Sequence, residues 1–432
     1  MKKTALLAAL LVVASFSFVS CGGSSSPLAT RVLASQSVSS PTAFPGLVVI
    51  NGEIDAPMRA PEVSAGGSPG LMTMSPNREI LLAFDSSSNG VEVVNTVKDT
   101  SVGSIQLPGS TTSMVALASG NGYAAVPAAP QNNGPSPGAV VAMNLMSPSV
   151  IATISVPNAQ TVVSSPDGSK LLVFSSDSDA VTILSPLFIN TGNPVTATVP
   201  GFDRPVYGVF SADSSTAYIL NCGPECGSSS ATASVQTLNM TTLTAGPSIA
   251  VDGATIGWLS GSTLYVAGTP TASANNLSPH NSCAGETTAA TTCGRLDILN
   301  TGSMTVTGRE VITDGYHWRI DMSVNGQLFI GSYACTNIGN VNDVTGEVRG
   351  CLSIFNTAKA TVVIPPDNGD VTGFQSFTTR DVEYVAEGGN LRVYDTLTDS
   401  LLLDNYNDPS LPETGTIILT GYITDVKAVD FF

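Results

Sequence analysis

Thr161 to Pro200 reads TVVSSPDGSKLLVFSSDSDAVTILSPLFINTGNPVTATVP and holds one complete structural unit. An apolar run closes on Ser165-Pro166-Asp167-Gly168, a turn; Lys170 to Ser175 forms a second run; Asp177 to Asp179 interrupts it; Ala180 to Leu184 resumes, and a fourth run ends at Val199. Four short strands joined by turn residues are the up-and-down order of one propeller blade.

The same pattern recurs along the chain. First strands are expected at Leu71 to Ser75, Ser113 to Leu117, Thr161 to Ser165, Val206 to Ser211, Ala254 to Leu259, Trp318 to Ser323 and Thr372 to Phe377. Third strands close on a repeated corner: Asn51-Gly52, Asn95-Thr96, Asn144, Asn239, Asn300-Thr301, Asn356-Thr357 and Asp395-Thr396. Asn or Asp suits that corner because its side chain bonds the backbone two residues on and tolerates positive φ. Arg31 to Gln36 and Gly46 to Ile50 read as a second and a third strand without a first, and Tyr422 to Phe431 reads as a lone first strand. The expectation is therefore an all-β fold: one β-propeller of four-stranded antiparallel blades over residues 31–432, its ring closed by the N- and C-terminal strands. Counting third strands gives eight blades, with seven as the alternative. Closing the ring removes the exposed edges and faces of an open array.

These units resemble the YVTN-type β-propeller repeats of bacterial surface and periplasmic proteins, in the Ser165 to Gly168 turn and in the apolar-Asn/Asp-Thr corner. The resemblance covers roughly Arg31 to Phe432. It implies a lactonase-like or WD40-like scaffold and leaves function open, because the family includes both binding proteins and relatives of lactonases. Two departures stand out: Ser75-Pro76-Asn77-Arg78 lacks the glycine, and Leu184-Ser185-Pro186 replaces the corner Asn.

The 432 residues are 42% apolar and only 11% charged, with 41 Gly and 27 Pro, a balance for short half-buried strands and tight turns rather than long charged helices. The chain opens MKKTALLAALLVVASFSFVSC: two lysines, an apolar core, then a small residue before Cys21. Residues 1–20 read as a secretory signal, too short and wrongly flanked to span a membrane stably. Phe18-Val19-Ser20-Cys21 resembles the lipobox of bacterial lipoproteins, which implies lipidation of Cys21 and a flexible tether over residues 21–30. By the same resemblance Gly22, not Asp, favours the outer membrane, facing periplasm or cell surface, with membrane contact only through the lipid. The formal net charge of −17 repels phosphate backbones, so nucleic acid is excluded as a partner.

With Cys21 assigned to lipid, Cys222/Cys226, Cys283/Cys293 and Cys335/Cys351 remain. An exported chain meets an oxidising compartment, which favours disulfides over metal. Six cysteines allow 15 pairings; neighbours are preferred because each pair falls in one blade's second-to-third-strand loop. Those loops leave on the same face as the blade-to-blade connections. The longest, Ala128 to Gly138, Cys222 to Ala231, Gly268 to Cys293 and Tyr333 to Gly350, make that rim the candidate recognition surface.

Arg204 and the run Asp314-Gly315-Tyr316-His317-Trp318-Arg319 occupy equivalent blade-to-blade corners. Arg204, Asp314, His317, Trp318 and Arg319 are the candidate ligand-binding residues, suited by arginine fork geometry to a polar or anionic small ligand. No metal is expected, since no acidic run has EF-hand spacing. No catalytic residue or cofactor is assigned: Cys-x-x-Cys-His and His-Glu-x-x-His are both absent from the sequence. The functional expectation is a non-catalytic envelope lipoprotein binding a ligand or an envelope protein. A lactonase-like or glycan-cleaving enzyme and a structural envelope-assembly factor are the alternatives. If Cys21 carries the anchor, Cys21→Ser abolishes incorporation of labelled palmitate and releases the protein from membranes. Undiminished labelling of the variant contradicts the assignment.

Overall fold

The computed structural model describes residues 30–38, 45–58, 63–130, 137–191, 194–230, 232–270, 293–335, 350–365, 369–377, 379–402 and 416–430. The expected leader, Cys21, the expected tether up to residue 29 and Cys283 lie outside these residues. Each expected unit forms an antiparallel sheet, and there are eight sheets, which settles the count in favour of eight. The innermost strands are, in ring order, Pro69–Met74, Ser113–Ala116, Ala159–Ser164, Pro205–Phe210, Ile256–Ser260, Tyr316–Met322, Val371–Ser376 and Tyr422–Asp430. We number the blades 1 to 8 in that order. Each innermost strand touches the next, and the eighth touches the first. In blade 7 the outer strand is split into Ser400–Leu401 and Thr416–Ile417, both paired with Asn390–Asp395.

Blade 8 draws on both ends of the chain. Its strand order is Tyr422–Asp430, Thr30–Ser37, Gly46–Asn51, Ala56–Pro57. Ala34 pairs with Val426 on one side and with Val48 on the other.

The core is a ring of seams rather than one centre. Among the described residues, eight hydrophobic clusters each join two neighbouring blades. The last, with Leu33, Leu47, Met72 and Leu81, joins blade 8 to blade 1. Second and third strands are covered on both faces by neighbouring blades, so Ala139–Asn144 and Leu171–Ser175 are nearly continuously apolar and buried. Outer strands have one wet face, and Val195–Pro200 alternates accordingly.

The repeated turns have a common chemistry. Ser165 Oγ donates to Asp167 Oδ1 at 2.6 Å, which accepts the Ser169 amide at 3.0 Å, while the Lys170 amide donates to Ser165 Oγ. Ser211, Asp213 and Ser215 repeat this in blade 4. The residue after the turn's Asp or Asn is left-handed: Gly168 at φ 67°, Ser214 at 59° and Arg78 at 58°. Arg78 thus takes the conformation that glycine would have supplied, and its guanidinium pairs with Asp430 of blade 8. At the other corner, the Oδ1 of Asn51, Asn95, Asn144, Asn239, Asn300, Asn356 and Asp395 accepts backbone amides two or three residues ahead, as expected. Where Ser185 replaces Asn, the chain runs into a 3-10 turn at Pro186–Thr191.

Buried ion pairs fasten blade 8 to both neighbours. Arg31, 1% exposed, bonds Asp99 of blade 1 at 2.8 Å and also donates to the Thr96 carbonyl. Arg380 of blade 7 bonds both carboxylate oxygens of Asp55, at 2.7 and 2.8 Å, with Tyr384 completing the group. Removing one member of a buried pair strands the other charge at a cost of about 3–5 kcal/mol. Arg31→Met should lower unfolding free energy in urea by about that amount, and adding Asp99→Asn should restore part of it. A change under about 0.5 kcal/mol, the level of an ordinary surface substitution, contradicts the clamp.

Candidate functional site

The innermost strands carry a shared irregularity near the face bearing the long loops. In blades 3, 4, 6, 7 and 8 one residue is skipped in the ladder to the second strand, and in blade 1 two are skipped. The skipped residues include Gln160, Val206, Trp318 and Thr372. A bulge breaks the alternation of side chains and re-aims them. The bulged residue and its successor therefore both face the channel in the pairs Gln160/Thr161, Val206/Tyr207 and Trp318/Arg319.

These pairs surround a cavity of about 510 Å³ in the upper channel, a size typical of small-molecule sites. Tyr316, Trp318 and Tyr333 form one wall: the two tyrosine rings lie 5.3 Å apart, and Trp318 meets Tyr333 edge-on at 5.3 Å. The Trp318 indole N–H donates to the Val371 carbonyl at 2.8 Å, fixing the ring across the blade 6 to blade 7 seam. The Arg319 guanidinium lies 4.1 Å above that ring, and its Nε donates to the Thr372 carbonyl at 2.9 Å. Tyr207, Ser113 and Thr161 line the opposite side, and Asp370 stands at the rim, accepting the Ala334 amide at 2.8 Å. A second cavity of about 300 Å³ runs from Tyr316 and Tyr333 past Cys226 to Arg204, and a third of about 300 Å³ continues downward past Arg319 to Lys427.

The five expected ligand residues divide. Trp318 and Arg319 meet in the main cavity, and Arg204 lines the adjoining one, its charge engaged by Asp177 at 2.9 Å. Asp314 and His317 are buried behind the mouth at the blade 5 to blade 6 seam. The Asp314 carbonyl accepts Ser332 Oγ, and His317 Nε2 bonds the Thr313 carbonyl at 2.9 Å. Burial holds His317 down to about 4, against the pull of the Thr313 carbonyl and Asp314, so the ring is neutral. It packs where any side chain on Gly294 would clash.

Two disulfides fall as expected within single loops, Cys222–Cys226 and Cys335–Cys351. Cys293 is also disulfide-bonded; its expected partner Cys283 lies outside the described residues. Among the described residues no cluster of three metal-ligating side chains occurs.

Glu225, Tyr207, Tyr333 and Asp370 were not singled out by the sequence. Glu225 had one visible signal, its place inside the Cys222/Cys226 staple, which holds it beside Tyr316 and Tyr333. Its carboxylate accepts the Thr269 amide at 2.9 Å. Burial pushes it up to about 8, outweighing that hydrogen bond, and Tyr316 is pushed up to about 12 by burial first and then by the charges of Glu225 and Tyr333. In blade 5 Asp297 is likewise raised, to about 7, by burial and by Asp252, against the Asp252 amide and Arg309.

No family model matches the chain, and no curated protein matches it in sequence. Solved structures match it as a β-propeller. The dihydro-heme d1 dehydrogenase NirN in complex with DHE aligns at TM-score 0.55 and 13% identity, covering 92% of this chain and 74% of its own. The periplasmic gluconolactonase PpgL of Pseudomonas aeruginosa aligns at 0.50 and 14%, covering 93% and 99%. The C-terminal WD40 domain of Sif2 aligns at 0.51 and 9%, covering 79% and 83%. At such identities the likeness is one of fold.

A carboxyl whose folded value lies above its unfolded one adds stability that is full below the unfolded value and lost as pH rises through the folded value. That loss runs from about pH 4 up through about 8 for Glu225 and through about 7 for Asp297. Urea unfolding should show a fall in stability between pH 5 and pH 8.5, smaller in Glu225→Gln than in wild type. An identical fall in both contradicts the assignment to Glu225.

Proposed function

We propose that the chain is an exported, lipid-anchored propeller that binds a small polar or anionic ligand at the channel mouth without transforming it. The observation that carries this reading is the cavity of about 510 Å³ built from bulged residues and walled by Tyr316, Trp318 and Tyr333. Rigid rings fixed by seam hydrogen bonds give contact area at little ordering cost, as binding sites require. Ser113 and Thr255 on the wall are already engaged, Ser113 with Val162 and Thr255 with the His317 and Ala267 carbonyls, which leaves them as surface rather than as nucleophiles. The Cys222–Cys226 and Cys335–Cys351 staples at the rim, the leader and Cys21 support an oxidising, cell-envelope location. The YVTN-type resemblance of the repeats fits the same setting.

One observation favours an enzyme. Glu225, neutral up to about pH 8 beside two tyrosines, has the protonation state of a general acid, and a lactonase-like or glycan-cleaving activity would use it. The two readings separate in a thermal-shift and turnover screen of small metabolites. Binding without chemistry predicts ligands that raise the melting temperature of wild type and are recovered unchanged. Thr161→Trp, which fills the cavity from blade 3, abolishes the shift, and Glu225→Gln leaves affinity within about threefold, since a neutral amide replaces a neutral acid. A ligand consumed by wild type and spared by Glu225→Gln, with at least a hundredfold loss of rate, replaces this reading with the enzymatic one.

A further inference from the structure

Every other arginine among the described residues has a carboxylate within 4 Å: Arg31, Arg78, Arg204, Arg295, Arg309, Arg380 and Arg392 all do. Arg319 does not. It sits mid-channel, shared by the upper and lower cavities, with Nε on the Thr372 carbonyl and Nη1 only 3.5 Å from that of Trp318. A guanidinium carries five N–H donors, so most of its fork has no protein acceptor among the described residues and opens onto the cavity. The charge that acts on it most is Asp425, whose oxygens are taken by the Met72 amide at 2.7 Å, the Val426 amide at 2.8 Å and Lys427 Nζ at 3.0 Å. Tyr207 lines the same upper and lower cavities.

Arg319 is only partly exposed, and a partly buried charge without a partner is costly; the usual resolution is a partner of opposite sign. Here the protein supplies the planar fork, stacked on Trp318, and omits the acid. We propose, resting on the reading that the channel mouth binds a small ligand, that the ligand is an organic monocarboxylate with a flat apolar body. Its carboxylate takes the free edge of Arg319 and the Tyr207 hydroxyl, and its body lies against Tyr316, Trp318 and Tyr333. A fork matches a carboxylate in two parallel hydrogen bonds. A single guanidinium, with Asp370 at the rim and a net charge of −17 around it, matches one negative charge better than the two of a phosphate.

The test is titration calorimetry of the full mature chain with 2-naphthoate, with its uncharged analogue 2-naphthamide and with inorganic phosphate. The proposal expects the acid to bind at least tenfold more tightly than the amide and phosphate to bind more weakly than either. Arg319→Met should cost at least tenfold in affinity for the acid and little for the amide. Tyr207→Phe, which removes only a hydroxyl, should cost a few-fold, and Arg319→Lys should recover only part of the loss because it keeps the charge without the fork. The wild-type comparison stands even if a variant fails to fold. Equal binding of acid and amide, preference for phosphate, or no binding of the acid at all overturns the proposal. If compounds of another class bind and are blocked by Thr161→Trp, the ligand-binding reading survives that failure; if nothing binds, both fall.

Discussion

Thr30–Ser37 lies hydrogen-bonded between Tyr422–Asp430 and Gly46–Asn51, and that double ladder turns a row of blades into a ring. Without it blades 1 and 7 would each lose a packed face, because the seams containing Leu33 and Leu81 on one side and Val426 and Val385's neighbour Tyr384 on the other join blade 8 to both. A large buried apolar side chain contributes about 1.5–3 kcal/mol on burial, so the closing strand holds two seams as well as its own sheet. The ladder is reinforced where slippage would matter most. Arg31 and Arg78 tie blade 8 to blade 1 and Arg380 ties it to blade 7, so the register is set by charge pairing as well as by pattern. Such pairs serve geometry more than net stability, since each charge must first leave water.

The channel inherits its form from that closure. With eight innermost strands spaced around it, the ring has room for a cavity in its upper half, and the recurrent bulges turn two consecutive side chains of one strand into it. Trp318 and Arg319 are adjacent in sequence and would face opposite sides of a regular strand; the bulge lets one stack on the other while both reach the cavity. The stapled loop of Cys222–Cys226 then holds Glu225 where its charge acts on Tyr316 and Tyr333. Aromatic wall, open arginine fork and raised acid thus come from blades 4 and 6 and the loops above them.

Much of the architecture was legible because it is local and repeated. Asn300 bonding the amides of Gly302 and Ser303, or Ser165 bonding Asp167, needs only neighbours in sequence, and the same Asn or Asp chemistry recurs at seven of the eight blade corners. The closing pair was legible for a different reason: two strands lacked a first and one strand lacked partners. The site was legible only in part. Corner position pointed to Arg204, Trp318 and Arg319, yet the same reasoning chose His317 and Asp314, which the local backbone turns into the blade 5 to blade 6 seam. Tyr207 and Gln160 escaped notice because a bulge overrides the period of two on which strand reading depends. Glu225 owes its environment to Thr269 and Tyr316, distant in sequence and brought together only by the ring.

Native-state hydrogen exchange tests the closure most directly. If the two chain ends seal the ring, the amides of Tyr422–Asp430 exchange as slowly as those of Ala159–Ser164 in blade 3, because both open only when the ring does. Exchange of Tyr422–Asp430 within seconds, at the rate of a free tail, while blade 3 stays protected would contradict the account.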